Sequence, residues 1–136
     1  MARSEERENL MKMIYQMSLQ NDFSEESYEK FTELQVEINI TKYFSKTYEL
    51  IRENLADIDS FINECSVKWK TTRMPAVDLA ILRLAVAEMK FAKDIPVSVS
   101  INEAVNLAKA YSTENSSRFI NGVLGKVAKE IENAQA

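Results

Sequence analysis

Histidine is absent from this 136-residue chain, and cysteine occurs once, as Cys65. Without histidine the chain lacks the usual general base near neutral pH, and with one cysteine it cannot form an internal disulfide. Cys65 lies in the apolar-periodic segment IDSFINECSVKW, with no second cysteine or histidine to share a metal or a proton, so it reads as an inert packing residue. Glycine and proline number two each, which leaves no phosphate-cradling glycine loop and few chain breaks. No apolar run approaches the length of a membrane span, and the opening MARSEERENL is too polar for a signal peptide, so a cytoplasmic location is expected. The 21 acids fall almost entirely on the polar faces of expected helices. An enzyme is not expected, nor is a metal or cofactor site.

What the chain does have is apolar patterning. Hydrophobic residues make up 46% and charged residues 28%, the profile of a helix-rich, loop-poor domain. At this length one domain removes roughly two-thirds of its unfolded surface from water, so a genuine core is expected. The net charge of −4 argues against nucleic acid when taken alone. It hides an asymmetry: residues 1–64 carry 7 basic and 14 acidic groups, whereas residues 65–136 carry 10 and 7. Any RNA contact should therefore lean on the second half.

Leu10, Ile14 and Met17, with Met13 beside them, form one apolar stripe of a first helix from Arg3 to about Gln20. NDFSEES interrupts it, and Ser24 or Asp22 can cap a second helix that buries Tyr28, Phe31, Leu34 and Ile38. Phe44, Tyr48, Ile51, Leu55, Ile58 and Ile62 then alternate spacings of four and three. This stripe predicts two consecutive helices broken near Ala56-Asp57-Ile58-Asp59, with Asp57 or Asp59 as N-cap. Trp69 closes the region as a packing anchor, with a base-stacking platform as the alternative. Pro75 suits the first turn of PAVDLAILRLAVAEMKF, a segment so uniformly apolar that it is either central or covered by a partner. Asp94-Ile95-Pro96 ends it.

VSVS, residues 97–100, alternates like a strand but has nothing to pair with, so an extended connector is expected. Ser100-Ile-Asn-Glu103 fits a capping box opening the next helix, with Ile101, Ala104, Val105 and Ala108 on its apolar face. Asn121-Gly122 is a favoured hairpin turn, yet Phe119, Ile120, Val123, Leu124, Val127, Ala128 and Ile131 keep helical spacing through it, which places Gly122 inside a helix. A mid-helix glycine costs about 1 kcal/mol relative to alanine and calls for close approach of a helix or a ligand backbone. The polar run Thr113-Glu114-Asn115-Ser116-Ser117-Arg118 before that helix reads either as a surface for phosphates or base edges, or as an ordinary loop capped by Thr113.

DIPVSVSINEAVNLAKAYS followed by SSRFINGVL closely resembles the signature of the NusB family of bacterial transcription antitermination and termination factors. VDLAILRLAVAEM and, more weakly, RENLMKMIY extend the resemblance along the whole chain. It implies an all-α protein of two small helical bundles packed into one domain, about seven helices in all, the bundles spanning about residues 1–70 and 71–136. It also implies pairing with NusE, a small-subunit ribosomal protein, binding of boxA RNA in nascent transcripts, notably of ribosomal RNA operons, and action within the RNA polymerase antitermination complex.

Carried over residue by residue, the resemblance assigns Arg3 and Arg7 to an RNA-touching N-terminal arm. It assigns Asn115, Ser117, Arg118, Phe119 and Asn121 to a second RNA-facing segment. Phe119 fits stacking on RNA and packing in the core equally. Tyr15 and Asp78 match positions that face NusE, and Arg83 either supports that surface or forms a structural ion pair. The arm is diluted here: Glu5, Glu6 and Glu8 bring the first ten residues to a side-chain charge of −1, so RNA binding by the chain alone should be weak. Two competing readings are a NusB-like module of the kind that precedes some ribosomal RNA cytosine methyltransferases, against which the end at Ala136 counts, and a helical scaffold that forms a homodimer through residues 76–91.

Overall fold

A computed structural model describes residues 2–34 and 40–135, and within them the chain forms seven α-helices and no strand. The order is α1 (Ala2–Gln20), α2 (Glu25–Leu34), α3 (Lys42–Glu53), α4 (Leu55–Cys65), a 3₁₀ turn (Thr71–Arg73), α5 (Ala76–Phe91), α6 (Val97–Tyr111) and α7 (Glu114–Gln135).

Local chemistry sets most of these boundaries. Asn21, at φ 52°, takes the left-handed conformation that closes α1, and the Asp22 N–H donates to the Met17 carbonyl at 2.9 Å. Ser24 caps α2 by accepting from the Ser27 N–H, while the Asp22 carboxylate holds the preceding turn by accepting from the Ser24 N–H at 3.0 Å. Thr41 caps α3 through the Phe44 N–H, and its hydroxyl also donates to Glu6 on α1. The break between α3 and α4 falls at Asn54, earlier than the expected Asp57 or Asp59. Asn54 turns its amide back on the Leu50 carbonyl at 2.8 Å, which ends α3 and frees Asp59 for a distant partner.

Two other expectations are corrected. Val97–Ser100 is the first turn of α6 rather than a connector, because the fixed φ of Pro96 (−59°) already suits a helix entry and its missing N–H is not needed there. Ser100 and Glu103 accordingly form no capping box. Both side chains reach other helices instead, Ser100 toward Glu88 and Glu103 toward Ser4 and Arg7. In α2, Phe31 is buried but Leu34 is exposed, and Ile38 lies outside the described residues.

Helix α5 is the axis of the fold. Every residue from Ala80 to Met89 is buried, and α1, α3, α4, α6 and α7 all pack on it. Removing a uniformly apolar helix from water on all sides is worth roughly 1.5–3 kcal/mol per large side chain, so α5 organises the rest. Its own chain covers it, and the homodimer through residues 76–91 therefore loses its basis. Leu10, Met13, Ile14 and Met17 of α1 meet it from one side, and Ile120, Leu124 and Val127 of α7 from another. Cys65 is buried at the end of α4, where burial raises its thiol pKa and keeps it protonated.

Candidate nucleic-acid interface

The α6–α7 turn is built from hydroxyls around one carboxylate. Thr113 caps α7 by accepting from the Ser116 N–H at 3.0 Å. The Ser112 and Ser116 hydroxyls each donate to a different oxygen of Asp78, both at 2.8 Å. Asp78 is 0% exposed in the first turn of α5, where the helix dipole also favours its charge. It thus fixes the start of α7 against the central helix.

With α7 so placed, a polar groove opens between it and α6. Glu114, Ser117, Arg118 and Asn121 line one wall. Asn102, Asn106 and Lys109 face them from α6, with Val105 at the floor. Arg118 pairs with Glu114 at 3.2 Å, but both side chains are largely exposed, so water screens the pair and the guanidinium can exchange it for a phosphate. Ser117 is buried and donates to the Glu114 carbonyl, whereas Asn102, Asn106, Lys109, Glu114, Arg118 and Asn121 are exposed, with Lys109 and Arg118 as the cations.

The other assigned residues divide sharply. Asn115 is exposed on α7 outside the groove. Phe119 turns away from it, half-buried against the core, and packs on Trp69 with ring centroids 5.3 Å apart, so packing wins over a free stacking face. Trp69 keeps 37% of its surface exposed and works as an anchor for the loop after α4. Gly122 is exposed, and a side-chain carbon added there would meet nothing within 4 Å, so helix packing does not explain it.

Arg3 is exposed, its guanidinium 4.1 Å above the Tyr43 ring and 3.6 Å from Glu6, a long, water-screened pair that it can exchange for a ligand. Arg7 cannot. It is 4% exposed and grips the carboxylate of Glu88, itself 1% exposed, with two hydrogen bonds of 2.8 and 3.0 Å, while a third reaches Glu103 at 3.1 Å. Burial alone would favour the neutral guanidine, but the bonds and charge of Glu88 outweigh it and raise the Arg7 pKa above its ordinary value. Tyr43 and Ser100 donate to the same carboxylate, which completes its partners. Burial first, and then the Glu88 charge, keep the Tyr43 phenol protonated.

On the expected partner face, Tyr15 is half-buried and retains a free edge. Asp78, by contrast, has no surface to offer. Arg83 is the structural ion pair of the two readings: it holds Asp59 through two bonds of 2.8 and 2.7 Å and donates to Ser18 at 2.7 Å. Asn102, Asn106 and Lys109 were missed, although their spacing of four and three along α6 marks a polar stripe.

An all-α fold whose buried charges are satisfied internally, and which leaves a mixed polar and basic groove outside, defines a binding protein of nucleic-acid type. Known proteins agree. The profile of the NusB family matches residues 4–129. The transcription antitermination protein NusB of Agathobacter rectalis is 47% identical over 133 residues, covering 94% of this chain and all of that protein, and that of Acetivibrio thermocellus is 46% identical over 130 residues, covering 95% and 90%. Among solved structures, NusB of T. maritima superposes with a TM-score of 0.81 at 36% identity over 94% of this chain and 91% of that one. A chain from the crystal structure of antitermination factors NusB and NusE in complex with dsRNA gives 0.83 at 26% identity over 95% and 97%. The chain belongs to the NusB family, and these curated relatives are transcription antitermination proteins. Among the described residues, no helix is long and apolar enough to cross a membrane.

Proposed function

We propose that the protein is a cytoplasmic transcription antitermination factor that pairs with NusE, binds boxA RNA in nascent transcripts and joins the RNA polymerase antitermination complex. The observation that carries this reading is the α6–α7 groove, where Lys109, Arg118 and Asn121 converge on a backbone like that of the NusB chain crystallised with NusE and dsRNA. Asn115 adds a contact beside it, Arg3 adds one from the start of α1, and Tyr15 faces NusE.

The charge distribution makes binding cooperative. A net charge of −4, with 14 acidic against 7 basic groups in residues 1–64, repels RNA at a distance, and the burial of Arg7 leaves Arg3 as the only arginine of the arm able to meet a phosphate. NusE must then supply much of the positive surface. Fluorescence anisotropy with labelled boxA RNA tests this: the complex should bind at least tenfold more tightly than the protein alone, a difference of about 1.4 kcal/mol. Equal affinities with and without NusE would overturn the cooperative mechanism.

A further inference from the structure

We propose that a second groove, where the start of α1 crosses α3 and the α5–α6 turn, carries single-stranded RNA that continues beyond the α6–α7 groove. This inference rests on the RNA-binding reading above and extends its site. Arg3, Lys42, Lys46 and Lys93 line the groove with one acid, Asp94, giving it a charge of +3 on a chain that is −4 overall. Among the described residues, Lys42, Lys46 and Lys93 are within salt-bridge distance of no carboxylate, and Arg3 has only a 3.6 Å approach to Glu6. Three unneutralised ammonium groups on two separate elements, brought together with Arg3, repel one another and gain when a polyanion lies between them.

The floor suits nucleotides. Tyr43 is held in place by its hydroxyl bond to Glu88 and by the Arg3 guanidinium over its face, and apolar side chains of α3 and α5 continue beside it. With the Tyr43 face taken by Arg3, Leu50 and Phe91 are the apolar surface left for bases, while the backbone tracks the cations around them.

The position is equally telling. The α6–α7 groove shares Asn106 with a shallow cleft that reaches Ser4 on α1. Arg3, the next residue, belongs to the second groove. The cleft, whose lining also holds Glu8 and Glu103, thus joins the α6–α7 groove to the first turn of α1, where Arg3 begins the second groove, and the two grooves lie on one path.

The test uses the complex with NusE and two RNAs, boxA alone and boxA extended on each side by an unstructured tail. Extension should raise affinity and steepen the salt dependence, by about 0.7 in logarithmic slope for each phosphate held. Lys42→Glu with Lys46→Glu should cancel that gain, about tenfold at low salt, and leave boxA alone unchanged. Lys93→Glu, on another element, should act in the same direction, while Lys126→Glu with Lys129→Glu, outside the groove, should not. All these lysines except Lys126 and Lys129 line the groove yet are exposed, so circular dichroism should show unaltered helix. The proposal is overturned if the tails add nothing, if the gain survives the Lys42 and Lys46 reversals, or if every reversal weakens both RNAs alike. Failure of boxA alone to bind the unmodified complex would instead count against the α6–α7 reading on which this one rests.

Discussion

Arg7→Met should cost about 3–5 kcal/mol of folding stability, the scale for breaking a buried ion pair by removing one partner. Glu88 is 1% exposed and would be left in the interior with only Tyr43 and Ser100 to donate to it. The loss is larger than that of the surface pairs on α1 or α2, which are exposed and worth at most about 1 kcal/mol. Pairing Arg7→Met with Glu88→Gln should recover part of the stability, because the orphaned charge is gone. Urea unfolding followed by circular dichroism measures both. A single variant that loses less than about 1 kcal/mol would return Arg7 to the surface arm as an RNA ligand.

Asp78→Lys should be the second severe change, and for a reason that the sequence alone misjudges. On an exposed partner face, the reversal would weaken only NusE binding. Buried at 0% exposure, it places an ammonium among the Ser112 and Ser116 hydroxyls that now donate to Asp78. Uncompensated burial of charge again costs about 3–5 kcal/mol, and the start of α7 should detach from α5. Asp78→Asn keeps an accepting oxygen and should cost less, about 1–2 kcal/mol. Hydrogen exchange would locate the damage: faster exchange of amides around residues 112–118 is expected in both variants, far more in the lysine one. If Asp78→Lys kept native stability and lost only its affinity for NusE, Asp78 would be an interface residue after all.

These two residues show where the sequence is legible and where it stops. Apolar spacing identified the stripe from Phe44 to Ile62 and carried the last helix through Asn121-Gly122, because a buried methyl group has only one preferred side of a helix. Charged residues carry no such sign. Arg7 stands three residues before Leu10 and seven before Ile14, on the apolar stripe of α1, so its burial was encoded in register although its identity suggested surface. Its partner Glu88 lies 81 residues away, and the serines that bury Asp78 lie 34 and 38 residues away. Separations of that order are set by tertiary packing, which local patterns do not contain. The misplaced capping box at Ser100 has the same origin, since Pro96 starts the helix a turn earlier and Glu88 claims the hydroxyl. The residues of the groove itself were half visible: Ser117 and Arg118 stood out in a polar run and Asn121 was assigned by the family resemblance, whereas Asn102, Asn106 and Lys109 emerged only when α6 was laid beside α7.

The claim that the α6–α7 groove holds RNA is tested most directly by a salt series on the complex with NusE, comparing Lys109→Glu with Arg118→Glu against the unmodified protein. Both side chains are exposed and on facing walls, so the double variant should fold normally and bind NusE as before. Its boxA affinity should fall, and the slope of log K against log salt should flatten by about 1.4, because two single-strand phosphates worth about 0.7 each are no longer neutralised. An unchanged slope with unchanged affinity would show that RNA binds elsewhere on the complex, and the assignment of this groove would be wrong.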